Sequence, residues 1–246
     1  MRRRFFVTQF QSDRAELRGE SAEHLQRVLR AAPGQVYELS DGETVRLGKI
    51  ERVGRDAVEF SLHETVAPRE SRLRISLGLA VVKFDRFEWA LEKATELGVA
   101  QVIPVAAARS ERALVTAAAK RASRWQRILL ESAQQSRRLR PPGLLPLVSV
   151  GDFLAGVKAN AHAEAIRIWL SEAADAPPLR DILSRFPRGE RQSAIIVIGP
   201  EGGWTDDENR ATADAGFSAA SLGPRILRTE TAVVAAISAV NYALGD

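Results

Sequence analysis

The chain contains no cysteine and only three histidines in 246 residues. Without thiols there can be no disulfide, no thiolate nucleophile and no cysteine zinc site. His24, His63 and His162 stand far apart and fit no zinc-ligand spacing such as HExxH. No metal centre is expected, although a carboxylate-bound magnesium stays open on composition. No segment approaches the ~18 uninterrupted apolar residues of a membrane span. The opening MRRRFFVTQFQSDR turns polar soon after its arginines, unlike a secretory signal. A cytoplasmic protein with no membrane partner is therefore expected.

Several nucleotide and hydrolase signatures are also missing. The first strand of the later part of the chain runs into VVKFDRFE, where a dinucleotide fold needs GxGxxG. GETVRLGKI has one residue too many between its glycines for a P-loop, and Ile50 stands where Ser or Thr must hold magnesium. GxSxG is absent, so a hydrolase triad has no support. Any chemistry must use oxygen and nitrogen groups or a cofactor.

What is present first is uneven charge. Residues 1–72 carry 13 basic and 12 acidic side chains, 73–150 carry 13 and 6, and 151–246 carry 9 and 13. Within the middle part, Arg109 to Arg140 holds nine basic residues against two acidic ones. A solvated helix face is the plain reading of such a run; its density and shortage of acids favour a polyanion, and nucleic acid above others.

Up to about residue 70 the pattern is strand-like, in RRFFVTQF, QVYELSDGETVRLGKIERV and AVEFSLHETV, with turns at Asp41-Gly42 and at Gly54 to Asp56. One helix, SAEHLQRVLRA, is expected to start at an N-cap Ser21 and stop at Pro33-Gly34. Together these predict a small β-barrel with one helix, and residues 63–72 read as a linker. From residue 73 strands and helices alternate, as a parallel sheet covered on both faces requires. The strand candidates are RISLGLAVV, VAQVIPV, LLPLVSV, AIRIWL, AIIVIG and SAASL. The helix DRFEWALEKATELG is expected to have Asp85 as N-cap, with Glu88 three residues later, and to end at Gly98.

Two late loops stand out. In IGPEGGWTDDE, residues 198–208, an apolar strand runs into a turn with three glycines, and Thr205 with Glu208 predicts a capping box. Taken alone this is a tight strand-to-helix turn. The second loop, SLGPRILRTETA, follows the next strand, and in a parallel sheet two such loops can meet where ligands bind. Asp206, Asp207 and Glu208 occupy the favourable end of the helix dipole and disfavour an added anion. A ligand without phosphate, neutral or positive, fits better, and S-adenosylmethionine has that chemistry.

EWALEKATELGVAQVIPV followed by RS, then KRASRWQRILLESAQQS, IGPEGGWTDDE and LGPRILRTETA resemble successive blocks of the small-subunit rRNA uridine N3 methyltransferases of the RsmE type, in the SPOUT superfamily. RRRFFV and HLQRVLRAAPGQ are similar to the same family, so the resemblance covers most of the chain. It implies a PUA-like RNA-binding β-barrel over 1–70 and a trefoil-knotted α/β methyltransferase domain over 73–246. It also implies that S-adenosylmethionine lies between three loops: Leu170, Ser171 and Glu172; Gly199, Pro200, Glu201, Gly202 and Gly203; and Leu222, Gly223, Ile226, Leu227 and Arg228 with Thr231. Two departures touch local loop shape and RNA contacts: QQSRR replaces the family's EQSGR, putting Arg137 in a glycine position, and KFDR replaces KGDR, with Phe84 in the glycine position.

The N3 proton of uracil must leave during transfer, and Glu201 or Glu230 is a candidate base, with Arg138 or Arg228 to stabilise the developing charge. Glu230 can equally be a plain acid at a helix start. Arg3, Arg4, His24, Arg27, Arg30, Arg109 and Arg138 are the expected RNA contacts; for Arg27, Arg30 and His24 the alternatives are surface charge and a satisfied imidazole. The expected partner is 16S rRNA, within the small ribosomal subunit or a late assembly particle and near the decoding centre, and the resemblance implies a homodimer. Two rivals remain: a related methyltransferase acting on another RNA site or on a ribose 2'-hydroxyl, and a nonenzymatic ribosome-assembly RNA-binding protein.

Overall fold

The structure, a computed structural model, describes residues 3–68, 70–159, 165–187 and 193–245; His162 lies outside them. The chain divides into two compact units, Met1–Glu70 with Ala133–Pro141, and Ser71–Ser132 with Pro142–Asp246.

The first unit is built on a five-stranded sheet. β1 (Arg4–Phe6), β2 (Arg14–Arg18), β3 (Val36–Ser40), β4 (Val45–Val53) and β5 (Ala57–Thr65) lie in the order β1-β3-β4-β5-β2. β1 runs parallel to β3 and the other pairs are antiparallel. β2, RAELR, went unread in the sequence, although it alternates exposed and buried side chains as a half-buried strand should. Phe5, Leu17, Leu39, Ile50, Val58 and Phe60 fill the interior with Leu25 from the helical segment.

That segment departs from expectation at both ends. α1 (Gly19–Glu23) leaves β2 directly with Arg18 as N-cap, so Ser21 lies inside the helix. Gly19 at φ +64° makes the abrupt turn from strand to helix. The chain then continues as a π-helical turn over His24–Val28, ahead of Pro33-Gly34. The expected linker is partly strand, since β5 extends to Thr65 and pairs it with Arg46.

In the second unit β6 (Arg74–Ala80), α2 (Phe84–Glu96), β7 (Gln101–Ala106) and α3 (Arg112–Ala118) lead into α4 (Ala122–Gln135), whose last residues count with the first unit. β8 (Gly143–Leu144), β9 (Val148–Ser149), α5 (Val150–Ala159), β10 (Ile166–Leu170), α6 (Leu179–Leu183), β11 (Ser193–Ile198), α7 (Asp206–Asp214), β12 (Ser218–Ala220) and α8 (Thr229–Leu244) complete it. The sheet is parallel throughout, in the order β12-β10-β11-β6-β7-β8, with β9 also paired to β7. LLPLVSV is two short strands, because Pro146 has no N–H for the ladder.

Both faces of this sheet are covered, and alternate residues feed two cores. Ile75, Leu77, Ile168, Ile196 and Ile198 pack with α2 and α8, and Trp169, Ile195 and Val197 pack on the other side with Phe153 and Phe217. α2 ends as expected near Gly98. Gly98 takes φ +91°, its N–H donates to the Thr95 carbonyl, and Val99 N–H donates to the Ala94 carbonyl, a Schellman closure. Its start differs: the N-cap is Lys83, and Glu88 receives Arg124 Nε on both carboxylate oxygens at 2.8 Å instead of closing a capping box.

Candidate functional site

β12, β10 and β11 are sheet neighbours, so the loops after their carboxyl ends lie side by side. They enclose a cavity of about 790 Å³. Its lining includes Leu170, Ser171 and Glu172 after β10; Gly199, Pro200, Gly202 and Gly203 after β11; and Leu222, Gly223, Ile226 and Leu227 after β12. Eleven of the residues expected at a cofactor site thus converge on one space. Glu201, Arg228 and Thr231 do not line it. Arg228 is the exposed N-cap of α8, and Thr231 is exposed on that helix.

The loops are fastened to one another by bonds that local pattern did not reveal. Thr229, buried at the start of α8, donates from Oγ1 to the Gly199 carbonyl at 3.1 Å and so ties the two glycine-containing loops together. Trp204 stacks on Trp169 with ring centroids 3.8 Å apart and donates from Nε1 to the Leu170 carbonyl at 2.9 Å. Gly199 is required by this arrangement, because a Cβ there would lie 2.9 Å from Trp204 Cε2. Gly203 sits at φ +66°, where L side chains are strained.

Thr205 and Glu208 form the capping box of α7 that the sequence predicts. Glu208 also does more: it is buried and accepts the Ala108 N–H at 2.8 Å, bringing the loop after β7 to this end of the sheet. From that loop Arg109 donates through Nη1 to the Gly202 carbonyl at 2.8 Å and lines the cavity. The α7 acids accordingly do not line the cavity. Asp207 pairs with Arg210 and Glu208 is occupied within the fold; the carboxylate lining the cavity is Glu172, and the cations are Arg109 and Arg225.

A second, smaller cleft of about 360 Å³ shares Arg109, Pro200 and Gly202 with the first. Glu201 lines it, and Arg86 Nη1 holds one of its carboxylate oxygens at 2.7 Å. Arg86 Nε also lies 4.0 Å from Glu230, which lines neither space. Arg86, unread in the sequence, is therefore common to both carboxylates expected to act as base.

The remaining expected residues lie in the first unit. Arg4 is 4% exposed, donates twice to Glu38 at 3.1 and 2.8 Å, and donates from Nη1 to the Arg137 carbonyl at 2.6 Å, so its guanidinium is committed within the fold rather than presented to solvent. Arg3 contacts His24 Nε2 at 2.8 Å, while Arg27 and Arg30 are exposed. Arg138 is partly buried, and burial pushes its guanidinium down to about 10 against the opposing pull of Glu70. It lines neither cavity.

A parallel α/β sheet with a loop-walled cavity over three adjacent strand ends defines a small-ligand-binding protein of the α/β class. The RNA methyltransferase domain family matches residues 69–241. Ribosomal RNA small subunit methyltransferase E of Bacillus subtilis is 33% identical over 91% of this chain and 88% of its own. The crystal structure of the enzyme of that name from Neisseria gonorrhoeae, bound to S-adenosyl methionine, matches with TM-score 0.87 and 32% identity over 100% of this chain and 99% of that one. A Legionella pneumophila protein solved in complex with the bound cofactor gives the same TM-score, 0.87, with 32% identity and the same coverage, 100% and 99%. The chain belongs to the RNA methyltransferase family, in the group of the ribosomal RNA small subunit methyltransferases E.

Proposed function

We propose that this protein methylates N3 of a uridine in 16S rRNA, near the decoding centre, with S-adenosylmethionine as methyl donor. The observation that carries the reading is the cavity over the ends of β10, β11 and β12, in a chain matched over its whole length by a relative bound to that cofactor. The fit is chemical as well. Leu170, Ile198, Ala220, Leu222, Leu227 and Ala232 supply apolar wall for an adenosine, and Glu172 supplies a carboxylate compatible with a sulfonium or an ammonium. When bound, the cofactor supplies an electrophilic methyl group. The chain's residues then have three tasks: to orient the acceptor, to exclude water, and to receive the N3 proton.

Glu201 is the proton acceptor in this reading, because it lines the cleft that adjoins the cavity; Glu230 is left as a first-turn acid of α8, favourable to the helix dipole. Glu201→Gln should lower kcat about 100-fold with cofactor affinity retained, and an unchanged kcat removes Glu201 from the chemistry. Arg138 and Arg228 keep an electrostatic role only if their substitution lowers turnover at saturating RNA.

The first unit is read as a PUA-like RNA-binding module, supported by its mixed five-stranded sheet and by exposed Arg27 and Arg30, with Arg3 and His24 beside them. The second is read as a trefoil knot. Its support is the order β12-β10-β11-β6, with α8 returning to pack on α2 and β11. A homodimer acting on the small subunit or a late assembly particle completes the proposal, with exposed Tyr242 on the apolar helix α8 as an observation in its favour. Among the described residues no helix is long and apolar enough to cross a membrane.

Titration with S-adenosylmethionine followed by mass mapping of methylated rRNA tests the whole reading. Cofactor binding with methyl at uridine N3 is expected. Methyl on a ribose 2'-hydroxyl would overturn the position, and no binding would overturn the activity.

A further inference from the structure

We infer that the cleft between the start of α2 and the loop after β7 seats the target nucleotide itself, as one unpaired nucleotide of an RNA strand gripped by its phosphodiester. This rests on reading the larger cavity as the cofactor site. Methyl transfer requires donor and acceptor atoms about 3 to 3.5 Å apart before reaction. The acceptor must therefore occupy a space abutting the cavity, and this cleft shares Arg109, Pro200 and Gly202 with it.

The cleft's composition suits a nucleotide. Leu114 is half-buried and gives the cleft accessible apolar surface, with Val81, Val82 and Pro200 buried behind the lining, and Lys83, Arg86 and Arg109 bring three cations against the two acids Glu111 and Glu201. Arg86 is engaged by Glu201. Lys83 is exposed and forms no ion pair among the described residues, and Arg109 uses Nη1 on Gly202 and keeps its other nitrogens. Lys83 and Arg109 are thus the cations left for a phosphate. Ser110, also in the lining, donates from Oγ to the Val81 carbonyl at 2.9 Å. A volume of about 360 Å³ admits one nucleotide and excludes a paired duplex, so the base must leave its stack to enter.

Two variants test this, one electrostatic and one steric: Lys83→Glu on an exposed side chain, and Leu114→Trp, which fills the cleft. Each is measured for cofactor affinity by calorimetry, and for KM and kcat with a small-subunit rRNA fragment over a range of salt. Lys83→Glu should raise KM for RNA about 10-fold and flatten the salt slope by roughly one phosphate contact, about 0.7 for a single strand. Leu114→Trp should lower kcat/KM for RNA about 100-fold. Both should bind the cofactor within about twofold of wild type. Wild-type RNA kinetics in both variants, or a parallel loss of cofactor binding, would overturn the cleft as the nucleotide seat while leaving the cofactor reading intact. Failure of the wild-type protein to bind S-adenosylmethionine would instead overturn the reading beneath it.

Discussion

Gly199 shows how one residue controls the site. The Trp204 ring beside it cannot retreat, because its face is stacked on Trp169 and its N–H is bonded to the Leu170 carbonyl. A methyl group at position 199 therefore has to displace the loop. Gly199→Ala should cost about 1–3 kcal/mol in stability and weaken cofactor binding at least 10-fold, read by denaturant midpoint and calorimetry. Unaltered affinity would mean that the loop adjusts freely. At Arg138 the relevant effect is electrostatic. Its folded-state pKa of about 10 lies below the ordinary arginine value, so the buried charge weighs against folding at neutral pH, and the burden is relieved as pH rises through 10. Wild type should gain about 1 kcal/mol relative to Arg138→Gln between about pH 9 and 11, measured as the difference in urea unfolding; a flat difference would contradict the burial.

At the scale of elements, helix ends separate what is local from what is not. The capping box of α7 and the glycine closure of α2 need only residues within one turn, and both were legible in the sequence. The expected box at the start of α2 is not formed: the helix starts earlier, with Lys83 as N-cap, and Glu88 is held by Arg124, distant in the chain. Arg137 ends α4 in a form no local pattern announced. It stands at φ +57°, and Arg138 N–H closes on the Ala133 carbonyl, so a non-glycine residue fills the left-handed position of a Schellman closure. Its side chain, 3.7 Å from Glu38, belongs to the network of Arg4. Removing that side chain to Ala or to Gly loses the same contacts, but only Gly relieves the backbone. Arg137→Gly should therefore be more stable than Arg137→Ala by about 1 kcal/mol, seen in melting temperatures; equality would mean that the backbone relaxes.

For the molecule as a whole, the first unit is not a detachable block of sequence. Residues 133–141 belong to it, with Leu139 and Gln134 buried and Ser40 Oγ donating to the Leu139 carbonyl at 2.6 Å. Deleting residues 1–70 should thus strip cover from this segment and lower thermal stability, as well as abolish RNA methylation. Arg27→Ala should weaken RNA binding several-fold, through loss of one phosphate contact, with melting temperature and cofactor affinity unchanged. A truncated protein as stable as the full chain would contradict the packing of 133–141, and unchanged RNA affinity in Arg27→Ala would contradict the RNA-binding role proposed for Arg27.

By itself the sequence determined the strand and helix rhythm of the later part and the two glycine-containing loops, because periodicity, turn chemistry and caps act over a few residues; eleven of the residues that enclose the cavity were legible only through the family resemblance. Tertiary structure alone decided that Arg86 bridges toward Glu201 and Glu230, that Arg4 is buried on Glu38, and that Thr229 joins two loops 30 residues apart. Those pairings depend on which strands become neighbours in the sheet. That order arises from long-range contacts with no local signature.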